Sequence, residues 1–284
     1  MQSLKTKLLL SVFLISSLEA YDKSFFPFLS YTSYSDSFKS REISGGAYAS
    51  KKSQSNFYRF GFEYKDIEYE NIQKKYQVDL IASFERKIAY NTKIYATLNL
   101  ILSDLYQSDK NQVYFFGFNY NYDKIYLGLD SAFSIYNYKS LADGVLELNP
   151  YIYYWFDALN FGVIKTEFRY YYTSVSSQNV DDLSKTNNFY KFNILQNVGN
   201  FVNTISFGFG DCINLVEDKA FTVYNNNEIQ KKSLTASVGY NFNKKTSMQL
   251  MYVQRDFDEY DPLLENFLKS AKSTSYILSA NFNF

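Results

Sequence analysis

Histidine is absent from all 284 residues. That absence removes the side chain whose unperturbed pKa lies nearest neutrality, so imidazole-based acid–base chemistry is excluded, as is any zinc site needing a His ligand. The single cysteine, Cys212, excludes an internal disulfide and any Cys cluster for a transition metal. With no basic partner nearby in sequence, it reads as a buried apolar filler rather than a reactive thiol. Proline occurs three times and tryptophan once, against 29 Tyr and 27 Phe. No Gly-rich phosphate loop is present, and beyond the N-terminal segment no apolar run approaches ~18 residues, which leaves no helical membrane span. An excess of either charge is also missing: 29 basic residues balance 29 acidic ones, so nothing argues for nucleic acid as a partner. The composition points to no cofactor.

The N-terminus carries an export signal in its pattern. Lys5 and Lys7 precede an apolar run from Leu8 to Leu14, and small and polar residues then lead to Ala20. This predicts a secretory signal peptide over residues 1–20, cleaved before Tyr21, although Leu18 stands where a small residue is usual. The run is far shorter than the ~20 residues an anchoring helix needs. No Cys follows the cut to carry a lipid. Cleavage removes Lys5, Lys7 and Glu19, leaving 27 basic and 28 acidic residues.

Period-two alternation dominates the remaining chain. Tyr58, Phe60, Phe62 and Tyr64 fall on one face while Arg59, Gly61, Glu63 and Lys65 fall on the other. The same split recurs at Val78 to Phe84, Ile94 to Leu100, Tyr114 to Tyr120, Ile164 to Tyr172, Tyr190 to Ile194 and Leu234 to Phe242. Segments are about ten residues long, enough for a tilted strand to cross hydrocarbon. Fourteen strands are expected, near 24–32, 41–50, 56–66, 76–87, 93–104, 113–122, 124–136, 145–156, 161–173, 188–198, 202–211, 232–243, 246–257 and 275–284. Pro27 weakens the first, so twelve strands with an N-terminal extension is the alternative. Short connections alternate with long ones, and the strand-like segment 220–224 is expected to form part of an external hairpin between 212 and 231. A secreted β-sandwich alternates too, but it would hide its aromatic face between two sheets.

The last nine residues carry a resemblance. Tyr276, Leu278, Ala280, Phe282 and the terminal Phe284 occupy alternate positions, separated by Ile277, Ser279, Asn281 and Asn283. This segment resembles the C-terminal β-signal of bacterial outer-membrane β-barrel proteins, a general porin-like class. The resemblance implies an all-β, antiparallel transmembrane barrel over residues 21–284, located in the bacterial outer membrane. It also implies short periplasmic turns, longer external loops and both termini in the periplasm. The partners it implies are outer-membrane lipid and, during biogenesis, periplasmic chaperones and the barrel-assembly machinery, which would read Tyr276, Leu278, Phe282 and Phe284. The phospholipase A, omptin protease and lipid A deacylase families share this architecture but use a histidine, which this chain lacks. A non-enzymatic role is therefore expected.

Function is then sought in the lumen and the loops. Arg59, Glu63, Lys65, Lys165, Glu167 and Arg169 are the candidate pore-lining residues of a passive channel for small hydrophilic solutes. Asp79, Glu85, Asp130, Glu147, Lys191 and Arg255 lie on or near the same face. Because both signs are mixed, strong ion selectivity is not expected; the same charges are equally suited to brace or plug the barrel as salt bridges. The alternative is a closed or structural barrel whose external loops, 174–187, 212–231 and 258–274, bind a surface partner or polysaccharide. Asp181, Asp182, Asp256, Asp258, Glu259 and Asp261 are read as solvated loop charge rather than a calcium site.

Overall fold

Aromatic and branched side chains on alternate positions need an apolar medium, and the opposite positions need water; a closed sheet meets both demands while leaving no backbone edge unpaired. The computed structural model describes residues 22–70, 73–104, 110–136, 142–176, 184–224, 228–260 and 268–284. The expected signal peptide lies outside them.

The strands are β1 (Asp22–Ser35), β2 (Lys39–Lys52), β3 (Asn56–Tyr69), β4 (Lys75–Ala89), β5 (Thr92–Ser103), β6 (Asn111–Tyr122), β7 (Ile125–Ile135), β8 (Gly144–Asp157), β9 (Val163–Val175), β10 (Thr186–Val198), β11 (Phe201–Ile213), β12 (Val216–Glu217), β13 (Thr222–Val223), β14 (Glu228–Asn241), β15 (Thr246–Tyr260) and β16 (Leu268–Asn283). All but β12 and β13 form one closed barrel of fourteen strands, in which β1 pairs with β16 and β11 pairs with β14. Every pairing is antiparallel between neighbours. Pro27 lies within β1: it faces Ala47 on β2, while the ladder to β16 is interrupted between Phe25 and Phe28. A proline without a donor is tolerated there because the gap falls on one side only.

Faces divide as the alternation requires. Tyr58, Phe60, Leu80, Leu98, Phe116, Phe118, Phe192, Phe207, Val238 and Leu250 all point outward and are exposed. Away from the strand ends, inward positions hold most of the charges and most of the glycines. Four of those glycines have a ring where a Cβ would be. A Cβ on Gly61 would meet the Tyr48 ring at 2.4 Å, on Gly117 the Tyr95 ring at 2.3 Å, on Gly128 the Tyr151 ring at 2.1 Å and on Gly208 the Phe189 ring at 2.5 Å. Each ring lies across its neighbouring strand and thickens the inner wall.

One end of the barrel carries Asp22, Phe284 and tight connections at 53–55, 90–91, 123–124, 158–162, 199–200 and 242–245; most longer connections lie at the other end. Between β11 and β14 the register shifts at Phe209/Cys212, with Gly210 at φ 118. This bulge sits where the two strands hand over to the segment between them. A bulge bends its strand and re-aims the chain beyond it.

Candidate functional site

The segment 214–224 corrects the expected external hairpin: it is a hairpin, but it is folded into the lumen. Val216 pairs with Val223 and Glu217 with Thr222, closed by the Tyr224 amide donating to the Leu215 carbonyl at 2.9 Å. The tip is Asp218, Lys219 and Ala220, all with left-handed φ of 46°, 57° and 66°. The physical reason is burial. Leu215, Val216, Ala220, Phe221 and Val223 are all buried, and outside the barrel they would face water.

Inside, they complete two apolar clusters. Val216, Ala220 and Val223 pack with Tyr95, Ile101, Val113, Phe115 and Ala132 of β5 to β7. Leu215 packs with Tyr171, Phe189 and Cys212. Since β5 to β7 stand across the barrel from β11 and β14, the hairpin crosses the lumen and plugs it on that side.

Polar ties fix the plug at many points. The Val216 amide donates to the Glu147 carboxylate at 3.2 Å, which also accepts from Asn149 at 2.7 Å and from the Cys212 thiol at 3.6 Å. Asn99 Nδ2 donates to the Ala220 carbonyl at 2.9 Å. Lys219 pairs with Glu85 at 2.9 Å, and Lys191 pairs with Glu217. Phe221 meets Tyr48 edge-on at 5.0 Å between centroids, and the Arg59 guanidinium lies 4.6 Å from the same ring. Cys212 is thus buried, as its sequence context suggested.

The six candidate pore residues all face inward, and most are matched by opposite charge. Lys65 lies 3.1 Å from Asp79 and 3.6 Å from Glu63, and Ser44 donates to Glu63 at 2.9 Å. Lys165 pairs with Glu167 at 2.9 Å and sits 3.8 Å from the Tyr153 ring. Arg169 bonds Asp130, lies 3.3 Å from Glu167 and stacks 4.1 Å from the Tyr151 ring. The Tyr95 phenol donates to Asp130 and lies 3.2 Å from the Tyr151 hydroxyl. Toward the end away from the termini, Glu228 bonds both Lys39 and Arg255, and Lys39 is 3.5 Å from Glu259.

Beside the plug, on the β1 to β3 and β15 to β16 side, the lumen keeps a cavity of about 340 Å³. Glu63 and Lys65 lie on its wall; Arg59, Lys165, Glu167 and Arg169 face the lumen outside that lining. Hydroxyls from β1, β2 and β16 make one side: Ser30 contacts Ser44 at 2.7 Å, and Thr32 contacts Ser275 at 2.8 Å. Phe28, stacked on Tyr48 at 5.3 Å, and Phe221 of the plug supply apolar surface. Sequence reasoning missed the plug residues of this wall, Asp218 and Tyr224 among them. The signal was present in the strand-like segment 220–224, but its parity does not say whether a loop folds in or out.

The acidic positions read as loop charge also move. Asp256, Asp258 and Glu259 belong to β15, with Asp258 paired to Lys231 at 3.2 Å, while Asp181, Asp182 and Asp261 lie outside the described residues. Among the described residues no group of three or more acidic or Cys side chains is placed to hold a metal ion.

No family model matches the chain, and no curated protein sequence matches it. Solved structures do. The monoaromatic hydrocarbon channel CymD matches with a TM-score of 0.57 at 8% identity, over 98% of this chain and 92% of that one. The toluene transporter TbuX of Ralstonia pickettii matches with a TM-score of 0.59 at 7% identity, over 93% and 90%. The toluene transporter TodX of Pseudomonas putida gives 0.54 at 9% identity, over 95% and 91%. At such identities the likeness is one of fold, and the fold it defines is the barrel of bacterial outer-membrane channels.

Proposed function

We propose that the chain is an outer-membrane channel that passes small hydrophilic solutes passively, through the lumen left beside the plug. The observation that carries this reading is the cavity itself: a space lined by hydroxyls, charges and aromatic rings inside a barrel whose outer face is apolar. Eight strands are enough to be filled by their own side chains, whereas fourteen leave room that only an inserted segment can reduce. The plug reduces it without filling it. In this reading residues 1–20 direct export and are removed, and the end bearing the termini faces the periplasm. Lipid contacts the outer apolar band, and the alternating segment from Tyr276 to Phe284 serves as the assembly signal. Fold likeness to channels and transporters agrees with a non-enzymatic role. It does not carry toluene or other aromatics to this chain as substrates, because a likeness at 7–9% identity is one of fold alone.

The test is single-channel recording from the purified, refolded mature protein in a planar bilayer. Discrete conductance steps are expected. A folded, inserted barrel that stays silent would overturn the channel reading and leave a closed barrel acting through its outer loops.

A further inference from the structure

The charges on the cavity are not balanced as those of the lumen at large are. Four carboxylates, Glu42, Glu63, Asp218 and Glu228, and two cations, Lys65 and Arg255, line it. Both cations are already committed: Lys65 lies between Asp79 and Glu63, and Arg255 bonds Glu228 while its guanidinium stacks 3.9 Å from the Tyr224 ring. The nearby Lys39 and Lys219 are spent on Glu228 and Glu85. By contrast, Glu42 takes only the Tyr34 phenol, at 3.1 Å, and Asp218 at the plug tip forms no ion pair among the described residues. Arg59, the cation that acts most strongly on Asp218, forms no direct ion pair with it and faces the Phe221 and Phe57 rings outside the cavity lining.

Building on the channel reading of this cavity, we infer that the passage beside the plug selects small cations over anions, with Glu42 and Asp218 as the specificity-determining residues. Three features act together. Two carboxylates without a direct ion pair among the described residues bias the passage toward negative potential, which a low-dielectric wall preserves. The hydroxyls of Ser30, Thr32, Ser44 and Ser275 offer oxygen ligands that replace part of a cation's hydration shell. An anion entering the same space meets no uncommitted positive charge among the described lining residues. The mixed signs read from the sequence averaged over the whole lumen, whereas the plug confines solutes to one acid-biased side of it.

The test is the reversal potential across a bilayer separating concentrated from dilute KCl. In dilute salt the potassium-to-chloride permeability ratio is expected on the order of 10, declining as salt is raised and the carboxylates are screened. The double variant Glu42→Gln with Asp218→Asn keeps both side-chain shapes and breaks no ion pair; it is expected to conduct, with the ratio lowered by about threefold or more toward unity. Wild-type steps with no cation preference would overturn the inference while leaving the channel reading intact. A cation preference unchanged in the double variant would overturn the assignment to these two residues. Wild-type silence would instead remove the channel reading, and this inference with it.

Discussion

Removing the plug is the sharpest perturbation of this molecule. Fourteen strands, at a spacing of about 4.8 Å and a tilt of about 40°, set opposite backbones about 28 Å apart. An inward side-chain layer of about 5 Å on each wall leaves about 18 Å, of which a two-stranded hairpin with its side chains fills about 10 Å. Replacing residues 215–224 by a short Gly-Ser linker therefore about doubles the free width, and the unitary conductance is expected to rise about two- to fourfold. Recording in concentrated KCl suppresses the charge effects, so that geometry alone is compared. Excision bares Ile101, Val113 and Phe115, so folding must be checked independently, by heat-modifiable gel mobility and β-type circular dichroism. Phe221→Ala, which trims only the ring against Tyr48 and Arg59, should move conductance the same way by less. A folded, excised barrel with unchanged conductance would show that the constriction lies elsewhere.

Other contacts set further outcomes. Arg169→Glu would put a third carboxylate beside Asp130 and Glu167, so its expected effect is a loss of about 3–5 kcal/mol of stability in denaturant titration rather than a clean change in selectivity. Gly128→Leu would drive into the Tyr151 ring and through it disturb Tyr95 and Arg169; about 1–3 kcal/mol should be lost, and a folded barrel of wild-type stability would refute the close packing. Phe60→Arg, on the outward face, should cost about 2–4 kcal/mol in lipid if Phe60 lies near the bilayer midplane. Deleting Phe284, which is exposed and makes no ring contact among the described residues, should leave refolding in detergent unchanged while slowing insertion in cells. Equal effects on both would mean that its role is structural.

The barrel was legible because an apolar outer face and a polar lumen impose period two on nearly every segment, and all fourteen expected strands correspond to barrel strands. Even β1, weakened in sequence by Pro27, forms, since its partner on the β2 side remains continuous. Ends were underestimated by a few residues, as at β15 and β16, where strands run past the apolar band into the long connections. The plug was not legible. Alternation at 220–224 is compatible with a membrane strand, an outer hairpin or an inner one, and only the apolar surfaces of β5 to β7 decide among them. Nor were the charge partners legible. Arg169 meets Asp130 across an intervening strand, from β9 to β7, a relation that depends on barrel shear rather than on spacing in the chain.

The cavity draws its wall from both ends of the polypeptide: Phe28, Ser30 and Thr32 of the first strand face Ser273, Ser275 and Ser279 of the last. A ring that is still open, with β1 and β16 apart, has no such wall. The cavity thus comes into being only when the seam zips, and a copy with the seam open is an unfinished sheet without it.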